Sequence, residues 1–468
     1  MPLNQSLLVQ QEQNLVQKKS IATSSFKPFI FSRIKNESDS TNLLFINKRY
    51  ENRSFAARKL FFEHLISLDT GLIHLSIDPL LNLELGEELS DDPRNNSEEI
   101  NLYKNTRGFN LKLAVGSKIA IESSFRENQA NLPFYLDERT ERTQMAYGQG
   151  RVKTFNEEGF DFSMSSAYIS YDLKSNINIQ AGHGKHFVGS GHRSLLLSDL
   201  SYNYPFLRFN TSWFGQKLHY HNLYASLQNL NRLPSSSLSE NLFERKYAAF
   251  HYLEYKVGSH LSIGLFEGVI FPGLDSSGNQ STSVNYWLPV IYLNSLIEAP
   301  DRTGNSIIGL NIELQLFNQL KLYQQLAFYD EENNAIGFQS GFKWFLSSQF
   351  MFQAEVNNLN HSFRRNEYNH NGESLAHPIQ AEALEVISIF QFRKDRWLSR
   401  LSNHYFDVNS NEILYIDFRQ SYIVNPSNSL SLNIGVQHRD DGMNSTISQS
   451  TYLYFGLSTN LQNLYFNY

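Results

Sequence analysis

From about residue 100 onward, hydrophobic and polar residues alternate in short runs that are separated by loops rich in Asn, Ser, Gly and Asp. Residues 111–115 read LKLAV, residues 350–357 FMFQAEVN, residues 414–419 LYIDFR, residues 432–437 LNIGVQ and residues 452–457 YLYFGL. Each run places apolar side chains on one face of an extended chain and polar or small side chains on the other. The pattern therefore predicts β-strands with one apolar face.

The spacing of these strands favours a membrane barrel. Long polar segments at 234–241, 275–283, 357–376 and 439–450 are typical of the external loops of such barrels. At roughly 20 to 25 residues per strand and loop, the chain holds an even number of strands near 16 or 18. We therefore expect an all-β fold, a transmembrane antiparallel outer-membrane β-barrel of about 16–18 strands.

The first 70 residues follow a different pattern. Residues 6–18 and 54–69 have hydrophobic positions at helical spacing, with Ser54 as an N-cap and Gly71 as a stop. Residues 72–85 predict an early strand. We expect an N-terminal segment with short helices over residues 1–70, periplasmic or plug-associated, followed by the barrel over residues 71–468. The pattern leaves open whether the helices pack at the periplasmic mouth, plug the barrel or dock a partner.

Composition agrees with a barrel and excludes several classes of protein. The 468 residues include 35 Phe and 25 Tyr but no Cys, which removes disulfides, zinc–thiolate sites and thiol catalysis. A net charge of -6 without a Lys/Arg block argues against nucleic-acid binding. No run approaches the roughly 20 apolar residues of a membrane-spanning helix. Residues 1–20 lack the pattern of a signal peptide, so either the peptide was removed, as we assume, or the chain never carried one.

Motifs for catalysis and cofactors are missing. His183, His186 and His192 have no acidic or sulfur ligand near them in the sequence, so we predict no metal site. Gly184-Lys185 lacks the remaining positions of a phosphate-binding loop, and no G-x-S-x-G motif seats a nucleophilic serine. We expect no catalytic residue, no cofactor and no enzyme activity.

The segment 181–208, AGHGKHFVGSGHRSLLLSDLSYNYPFLR, is the most distinctive part of the chain. Its cationic side chains suit an acidic polysaccharide or a lipid phosphate, and nearby aromatic rings can stack on sugars. The alternative, which we favour, is that Arg193 and Asp199 pair inside the barrel and hold an inward-folded loop while the leucines pack. The candidate ligand-binding residues are Lys185, His186, Arg193, Asp199, Tyr204 and Trp213.

Several short motifs together resemble the Wzi-type capsule-assembly family, specifically its gliding-motility branch of outer-membrane barrels. Ser190 and His192 stand where that pattern has Asp and Tyr, and Tyr147 stands where it has Pro, which puts any ligand of the relatives in question but not the fold. The motifs are 105–108 (NTRG), 127–129 (ENQ) with Pro133 and Tyr135, 148–150 (GQG) with Lys153, 182–199 (GHGKHFVGSGHRSLLLSD), 204–205 (YP), 246–253 (KYAAFHYL), 264–271 (GLFEGVIF), 286–289 (YWLP) and 375–378 (LAHP).

The resemblance implies an 18-stranded barrel with a helical element that binds, assembles or retains capsular polysaccharide, or that accompanies gliding machinery. The expected partners are surface polysaccharide, outer-membrane lipid and, in the second case, other outer-membrane proteins of a motility or export complex. A diffusion channel is a third hypothesis, but long loops and the glycine-rich segment argue against a wide pore.

Overall fold

A computed structural model describes residues 3, 5–35, 52–89, 102–156, 159–232, 243–273, 283–298, 306–329, 335–360, 368–442, 449–459 and 465–467. The predicted loop 234–241 lies outside the described residues, as does most of the predicted loop 275–283. The fold is a closed antiparallel β-barrel of 18 strands, which confirms the predicted class and the upper end of the predicted strand number.

The barrel strands follow one another around the wall in chain order. They are β1 (Ile73–Glu88), β2 (Leu102–Val115), β3 (Ile119–Asn131), β4 (Gly159–Lys174), β5 (Ile177–Gly184), β6 (Tyr204–Trp213), β7 (Leu218–Arg232), β8 (Phe243–Val257), β9 (Leu261–Phe271), β10 (Ser306–Leu316), β11 (Leu320–Tyr329), β12 (Ala335–Trp344), β13 (Phe350–Leu359), β14 (Ala383–Lys394), β15 (Trp397–Val408), β16 (Asn411–Asn425), β17 (Leu430–Asp440) and β18 (Gln449–Ser458).

Closure leaves no unpaired edge. Strand β18 pairs with β1 over seven positions, from Tyr452 opposite Glu88 to Ser458 opposite Asn82. Short turns such as 258–260 and 317–319 join strands at one end of the barrel, and most connections at the other end are long. Because outer-membrane barrels have short periplasmic turns and long outer loops, we refer to these ends as the periplasmic and outer ends.

The alternation seen in the sequence separates the two faces of the wall. In β13, Phe350 and Val356 point outward and are exposed, while Gln353 and Glu355 point inward and are buried. The same division holds in β14, β16, β17 and β18, where exposed outward residues include Phe390, Phe418, Ile434 and Phe455. The result is an apolar outer belt around a polar lumen, which is the arrangement that a lipid-embedded barrel requires.

The N-terminal segment lies at the periplasmic end. Helix α1 (Gln5–Lys18) enters the lumen, where Glu12 forms salt bridges with Lys27 and with Lys343 of β12. Helix α2 covers Phe31–Lys35. Helix α3 (Phe55–Phe61) contacts the periplasmic end of β16, where Asn425 donates hydrogen bonds to backbone oxygens of Lys59 and Glu63. Helices α4 (Phe134–Thr143) and α5 (Leu293–Glu298) belong to outer connections. No helix of the described residues is long and apolar enough to cross a membrane.

One predicted helix is shorter than expected. The predicted N-cap is confirmed, since the Ser54 hydroxyl accepts from the Ala57 N–H, but α3 ends at Phe61 rather than continuing to Asp69. Residues Ile66–Asp69 instead form a strand that pairs with β1, and Gly71 sits in the connecting turn with a φ of 79°. The backbone hydrogen bonds that residues Ile66–Asp69 form with β1 therefore outweigh the preference of this segment for a helix, which its hydrophobic spacing had indicated. The expected boundary at residue 70 therefore crosses a hairpin that belongs to the barrel wall.

Three chain segments lie in the lumen, and two of them enter it from the outer side. Residues 185–203, which we call the lumen loop, connect β5 to β6 and are almost entirely buried. Residues 368–376 were expected in an external loop but lie inside, where the Tyr368 hydroxyl donates to the Leu196 carbonyl oxygen at 2.7 Å. Residues 465–467 also lie inside rather than in the last strand, with Phe466 against Tyr147. The predicted inward fold of the glycine-rich segment is confirmed.

The apolar belt yields a depth-dependent prediction. Val356 is the seventh residue of β13 counted from the periplasmic turn, and Phe350 is the first. An outward-pointing arginine costs about 2–4 kcal/mol at the bilayer midplane and about 0–1 kcal/mol near the interface. Val356→Arg should therefore destabilise the barrel far more than Phe350→Arg in chemical denaturation of protein refolded into lipid vesicles. Equal effects of the two substitutions would contradict the assigned depth.

Candidate functional site in the barrel lumen

Three wall carboxylates hold the lumen loop. Glu355 of β13 accepts the backbone N–H groups of His192 at 2.6 Å and Arg193 at 3.0 Å. Glu313 of β10 accepts the Ser190 hydroxyl at 2.8 Å. Because these carboxylates point into the lumen and are buried there, they need hydrogen-bond donors, and the backbone N–H groups and hydroxyl groups of the loop supply them.

Glu385 of β14 is the junction of the lumen network. Arg193 Nη2 donates to its Oε1 at 2.9 Å, and His377 Nε2 lies 2.6 Å from its Oε2. Arg193 Nη2 also donates to the side-chain oxygen of Asn467 in the C-terminal tail at 3.0 Å. The partner of the predicted ion pair is therefore Glu385 rather than Asp199, which accepts the Tyr465 hydroxyl at 2.8 Å. Removing one partner of such a buried pair typically costs about 3–5 kcal/mol.

The leucines of the lumen loop pack as predicted. Leu195, Leu196 and Leu197 are completely buried in the largest apolar cluster, together with side chains of β7, β8 and β9 such as Phe250. Gly309 of β10 permits this packing, because a Cβ at that position would lie 2.1 Å from Leu196 Cδ2. The loop is therefore held by apolar contact on one side and by carboxylates on the other.

A single residue, Gly148, joins three outer connections through its backbone, and we call this arrangement of Lys185, Gly148 and Glu373 the clasp. Lys185 Nζ donates to the carbonyl oxygen of Gly148 at 2.8 Å, and the Gly148 N–H donates to Glu373 Oε1 at 2.8 Å. Burial lowers the pKa of Lys185 to about 8, although Asp199 and Glu373 oppose the shift. Burial raises the pKa of Glu373 to about 7, against the hydrogen bond from Gly148 and the charge of Lys185. Both groups of this clasp therefore titrate near neutral pH.

Five of the six predicted site residues come together in the lumen, and one does not. Lys185, His186, Arg193 and Asp199 are buried in the lumen loop, and Tyr204 is buried at the start of β6. The His186 ring stacks on Tyr204 with centroids 5.8 Å apart, and burial holds the pKa of His186 well below its ordinary value.

Trp213 lies elsewhere. It is on the outward face of β6 at the periplasmic end and is 41% exposed, a position typical of the aromatic girdles of membrane barrels. Its separation from the other five follows from strand alternation. Arg208, Asn210 and Ser212 are buried on the inward face, so Trp213 must point outward.

The open part of the lumen is a cavity of about 310 Å³ beside the lumen loop. We call it the inner cavity. It lies along the inward faces of β14–β18 and β1–β3, on the side that the apolar cluster of the loop does not fill. Its charged lining consists of four cations and two carboxylates. These are Lys104, Arg393, Arg400, Arg419, Glu84 and Asp417.

The inner cavity combines cations with aromatic and amide groups. Arg400 and Arg419 face each other on neighbouring strands, and Arg419 Nε donates to the Tyr454 hydroxyl at 2.9 Å. Lys104 forms a salt bridge with Glu84 at 2.8 Å, which compensates one of the four cations. His192 of the lumen loop and Tyr465 of the tail also line the cavity. The remaining positive charge suits an anionic ligand.

Sequence reasoning missed this cavity. Its lining residues come from nine strands, helices α1 and α4, the lumen loop and the tail, and no short segment contains more than a few of them. The available signal was the presence of Arg on the polar face of successive predicted strands, as in the run 414–419. Among the described residues, no three His, Asp or Glu side chains are grouped closely enough to hold a metal ion.

Comparisons with known proteins support the fold. No family model matches the chain, and no curated protein matches its sequence. The structure is similar to Wzi of Escherichia coli, an outer membrane protein involved in group 1 capsule assembly and described as a carbohydrate-binding β-barrel. The TM-score is 0.60, with 11% identity over 98% of this chain and 99% of Wzi. It is also similar to OccK9 (OpdG) of Pseudomonas aeruginosa, with a TM-score of 0.50 and 10% identity over 82% of this chain and 97% of OccK9.

These likenesses place the chain among proteins with an outer-membrane β-barrel fold. They agree with the Wzi-like architecture that the motifs implied. The Wzi-type family and its gliding-motility branch stay predictions.

The clasp at Gly148 predicts a pH dependence that one substitution removes. Because the pKa of Glu373 is raised to about 7, the folded protein retains a proton that the unfolded chain releases above its ordinary pKa of 4.5. Stability therefore falls as the pH rises from about 4.5 to 7. Glu373→Gln keeps an oxygen for the Gly148 N–H but has no proton to lose. It should raise the melting temperature at pH 7.5 and leave it nearly unchanged at pH 4.5, with Glu122→Gln as control.

Proposed function

We propose that this protein is a non-enzymatic outer-membrane barrel that binds an acidic surface polysaccharide in the inner cavity and helps to retain it at the cell surface. The observation that carries the proposal is the inner cavity itself, which Arg393, Arg400 and Arg419 line together with several tyrosines. Uronic acids and acidic substituents are the groups on a glycan that such a site would recognise.

The chemistry of the lining fits a charged sugar. An arginine guanidinium binds a carboxylate through two parallel hydrogen bonds, which fixes both position and orientation. Tyr415 and Tyr454 line the cavity and contribute aromatic surface with polar hydroxyl groups, which suits the mixed apolar and polar surface of a pyranose ring. Amide and hydroxyl side chains such as Asn128, Asn433 and Ser402 provide donors and acceptors for sugar hydroxyl groups.

The predicted binding residues of the lumen loop take a positioning role in this proposal. Lys185, Arg193 and Asp199 are engaged with Gly148, Glu385 and Tyr465 respectively, so their polar groups hold the loop in place. His192, directly before Arg193, reaches the cavity. Substitution of Arg193 would then affect binding through the wall of the cavity rather than through a lost contact with sugar. We do not include Trp213, which faces away from the lumen.

The structural likeness to Wzi supports the same class of ligand, because Wzi is described as binding carbohydrate. The alternative from the sequence, an accessory role in a motility or export complex, would use protein partners instead. For that role the N-terminal helices at the periplasmic end offer a contact surface, whereas the inner cavity would have no evident use.

Binding can be measured directly with the purified barrel. Titration calorimetry with a uronic-acid-containing oligosaccharide should show binding that weakens with salt, and a neutral oligosaccharide of equal length should bind less well. Arg400→Ala and Arg419→Ala should each weaken binding by roughly tenfold, or about 1.4 kcal/mol. Arg107→Ala is the matched control, since Arg107 is exposed on the outward face of β2. Unchanged affinity in both lumen variants would rule out the inner cavity as the binding site.

Retention of polysaccharide tests the role in the cell. A deletion strain should release capsular polysaccharide into the medium, and wild-type protein should restore cell-bound material while Arg400→Ala should not. The readout is the ratio of shed to cell-bound polysaccharide, with Arg107→Ala again as control. A normal capsule in the deletion strain would contradict the retention role, and co-purification of outer-membrane partners would then test the accessory role.

A further inference from the structure

The outward face of the wall at β7, β8 and β9 departs from the apolar belt. Asn222, His251 and Glu267 are directly opposite one another on these three strands and form one row across the outside of the barrel. His251 Nδ1 lies 2.6 Å from Asn222 Oδ1, and all three side chains are buried. Polar side chains on a lipid-facing wall cost free energy unless another part of the protein covers them and forms hydrogen bonds with them.

The cover is a segment of the connection between β9 and β10. Residues 283–298, which we call the strap, contain a 3-10 helix at Val284–Trp287 and helix α5. Tyr286 packs against outward-facing side chains of β7, β8 and β9, including Tyr224, Val269 and Phe271. The strap therefore lies on the outside of the barrel and not above its mouth.

Polar side chains of the wall form hydrogen bonds with backbone groups of the strap. Glu267 accepts the N–H groups of Tyr292 at 2.7 Å and Ser295 at 2.8 Å, and also the Ser295 hydroxyl at 2.7 Å. On the other side, the Tyr220 hydroxyl donates to the Pro289 carbonyl oxygen at 2.5 Å, and the Tyr224 hydroxyl donates to that of Trp287 at 3.3 Å.

Irregular backbone at membrane depth needs this kind of compensation, because lipid supplies no hydrogen-bond partners. The outward polar residues of β7–β9 thus have a specific task.

The contacts of the strap place it within the apolar belt. Glu267 is the seventh residue of β9 counted from the periplasmic turn, which puts it ~15 Å above that turn for a strand tilted by ~40°. The apolar band of an outer-membrane barrel is ~25 Å tall. Tyr220, the third residue of β7, is lower still. Glu267 is therefore near the middle of the band.

The outer surface of the strap is apolar. Residues 283–297 contain no charged side chain. Its exposed large hydrophobic residues are Val284 at 85%, Trp287 at 55%, Val290 at 52%, Leu296 at 71% and Ile297 at 43%. This surface continues the exposed belt of the neighbouring strands, such as Ile308 of β10, which is opposite Glu267 in the sheet. An apolar surface of this size facing water would be unusual.

We propose that the strap is a membrane-embedded element whose outer face contacts the acyl chains of the surrounding lipid, and that Glu267 anchors it there. It replaces the bare barrel wall as the lipid-facing surface over β7–β9. The inference does not depend on glycan binding in the lumen, and it assigns lipid hydrocarbon, rather than a protein partner, as the occupant of this surface.

The absence of cysteine from the chain makes the proposal directly testable. Single variants Val290→Cys and Leu296→Cys are labelled with an environment-sensitive fluorophore and reconstituted in phosphatidylcholine vesicles with brominated acyl chains. Bromine should quench both labels as strongly as a label at Phe338→Cys on the outward face of β12, and more strongly than a label at Ser410→Cys in an outer turn. Labels accessible to a water-soluble quencher, or shielded from both lipid and water by another protein, would overturn the proposal.

The anchor is tested in the labelled Leu296→Cys background. Glu267→Ala removes the acceptor of the Tyr292 and Ser295 N–H groups, so lipid quenching should be lost while the barrel keeps its heat-dependent electrophoretic mobility. Gln324→Ala, at an exposed outward position of β11 without a strap, is the matched control and should retain the quenching. If Glu267→Ala fails to fold, Ser295→Ala removes one bond to the same carboxyl and should reduce quenching partially. Unchanged quenching in a folded Glu267→Ala protein would refute the anchoring role.

Discussion

The need to bond every backbone group in lipid is the constraint on which the rest of this structure depends. The pairing of β18 with β1 meets it for the wall, because closure leaves no strand edge exposed to hydrocarbon. With mostly apolar side chains pointing outward, many acidic and amide residues of the 18 strands point into one lumen. The lumen therefore cannot be a dry apolar core. Its carboxylates need partners, and most of the remaining architecture supplies them.

The partners come from chain segments that are distant in sequence. The N-terminal segment brings the Ser25 N–H to Glu254 of β8, the lumen loop brings Arg193 to Glu385, and the tail brings Asn467 to Arg193. Each segment fills the lumen next to the carboxylate that it satisfies. Where these segments leave space, along β14–β18 and β1–β3, the inward arginines and tyrosines line the inner cavity. The candidate binding site is thus the part of the lumen that these segments leave open, and its charged lining has more cations than carboxylates.

The same constraint operates on the outside of the wall. At β7–β9 an irregular segment lies against the barrel at membrane depth, and Glu267, Tyr220 and Tyr224 take over the hydrogen bonds that lipid cannot make. Inside, carboxylates accept the N–H groups of a loop and so fix the shape of a cavity. Outside, a carboxyl group accepts the N–H groups of the strap and so completes the apolar belt. Acidic residues on this wall therefore act as fixed acceptors for irregular backbone on both faces.

The sequence by itself determined the strands and their two faces, because the alternation of β-structure is a local property in which residues i and i+2 share a side. The runs at 350–357 and 414–419 predicted which side chains face lipid, and the packed leucines of the lumen loop followed from the same reasoning. Tertiary structure alone decided the partner of Arg193, which is 192 residues away at Glu385, and the entry of residues 368–376 and 465–467 into the lumen. It also decided that the strap folds outside the wall and that Trp213 is separated from the other candidates. These outcomes depend on barrel closure and strand register, which bring distant residues together and leave no periodic trace in the sequence.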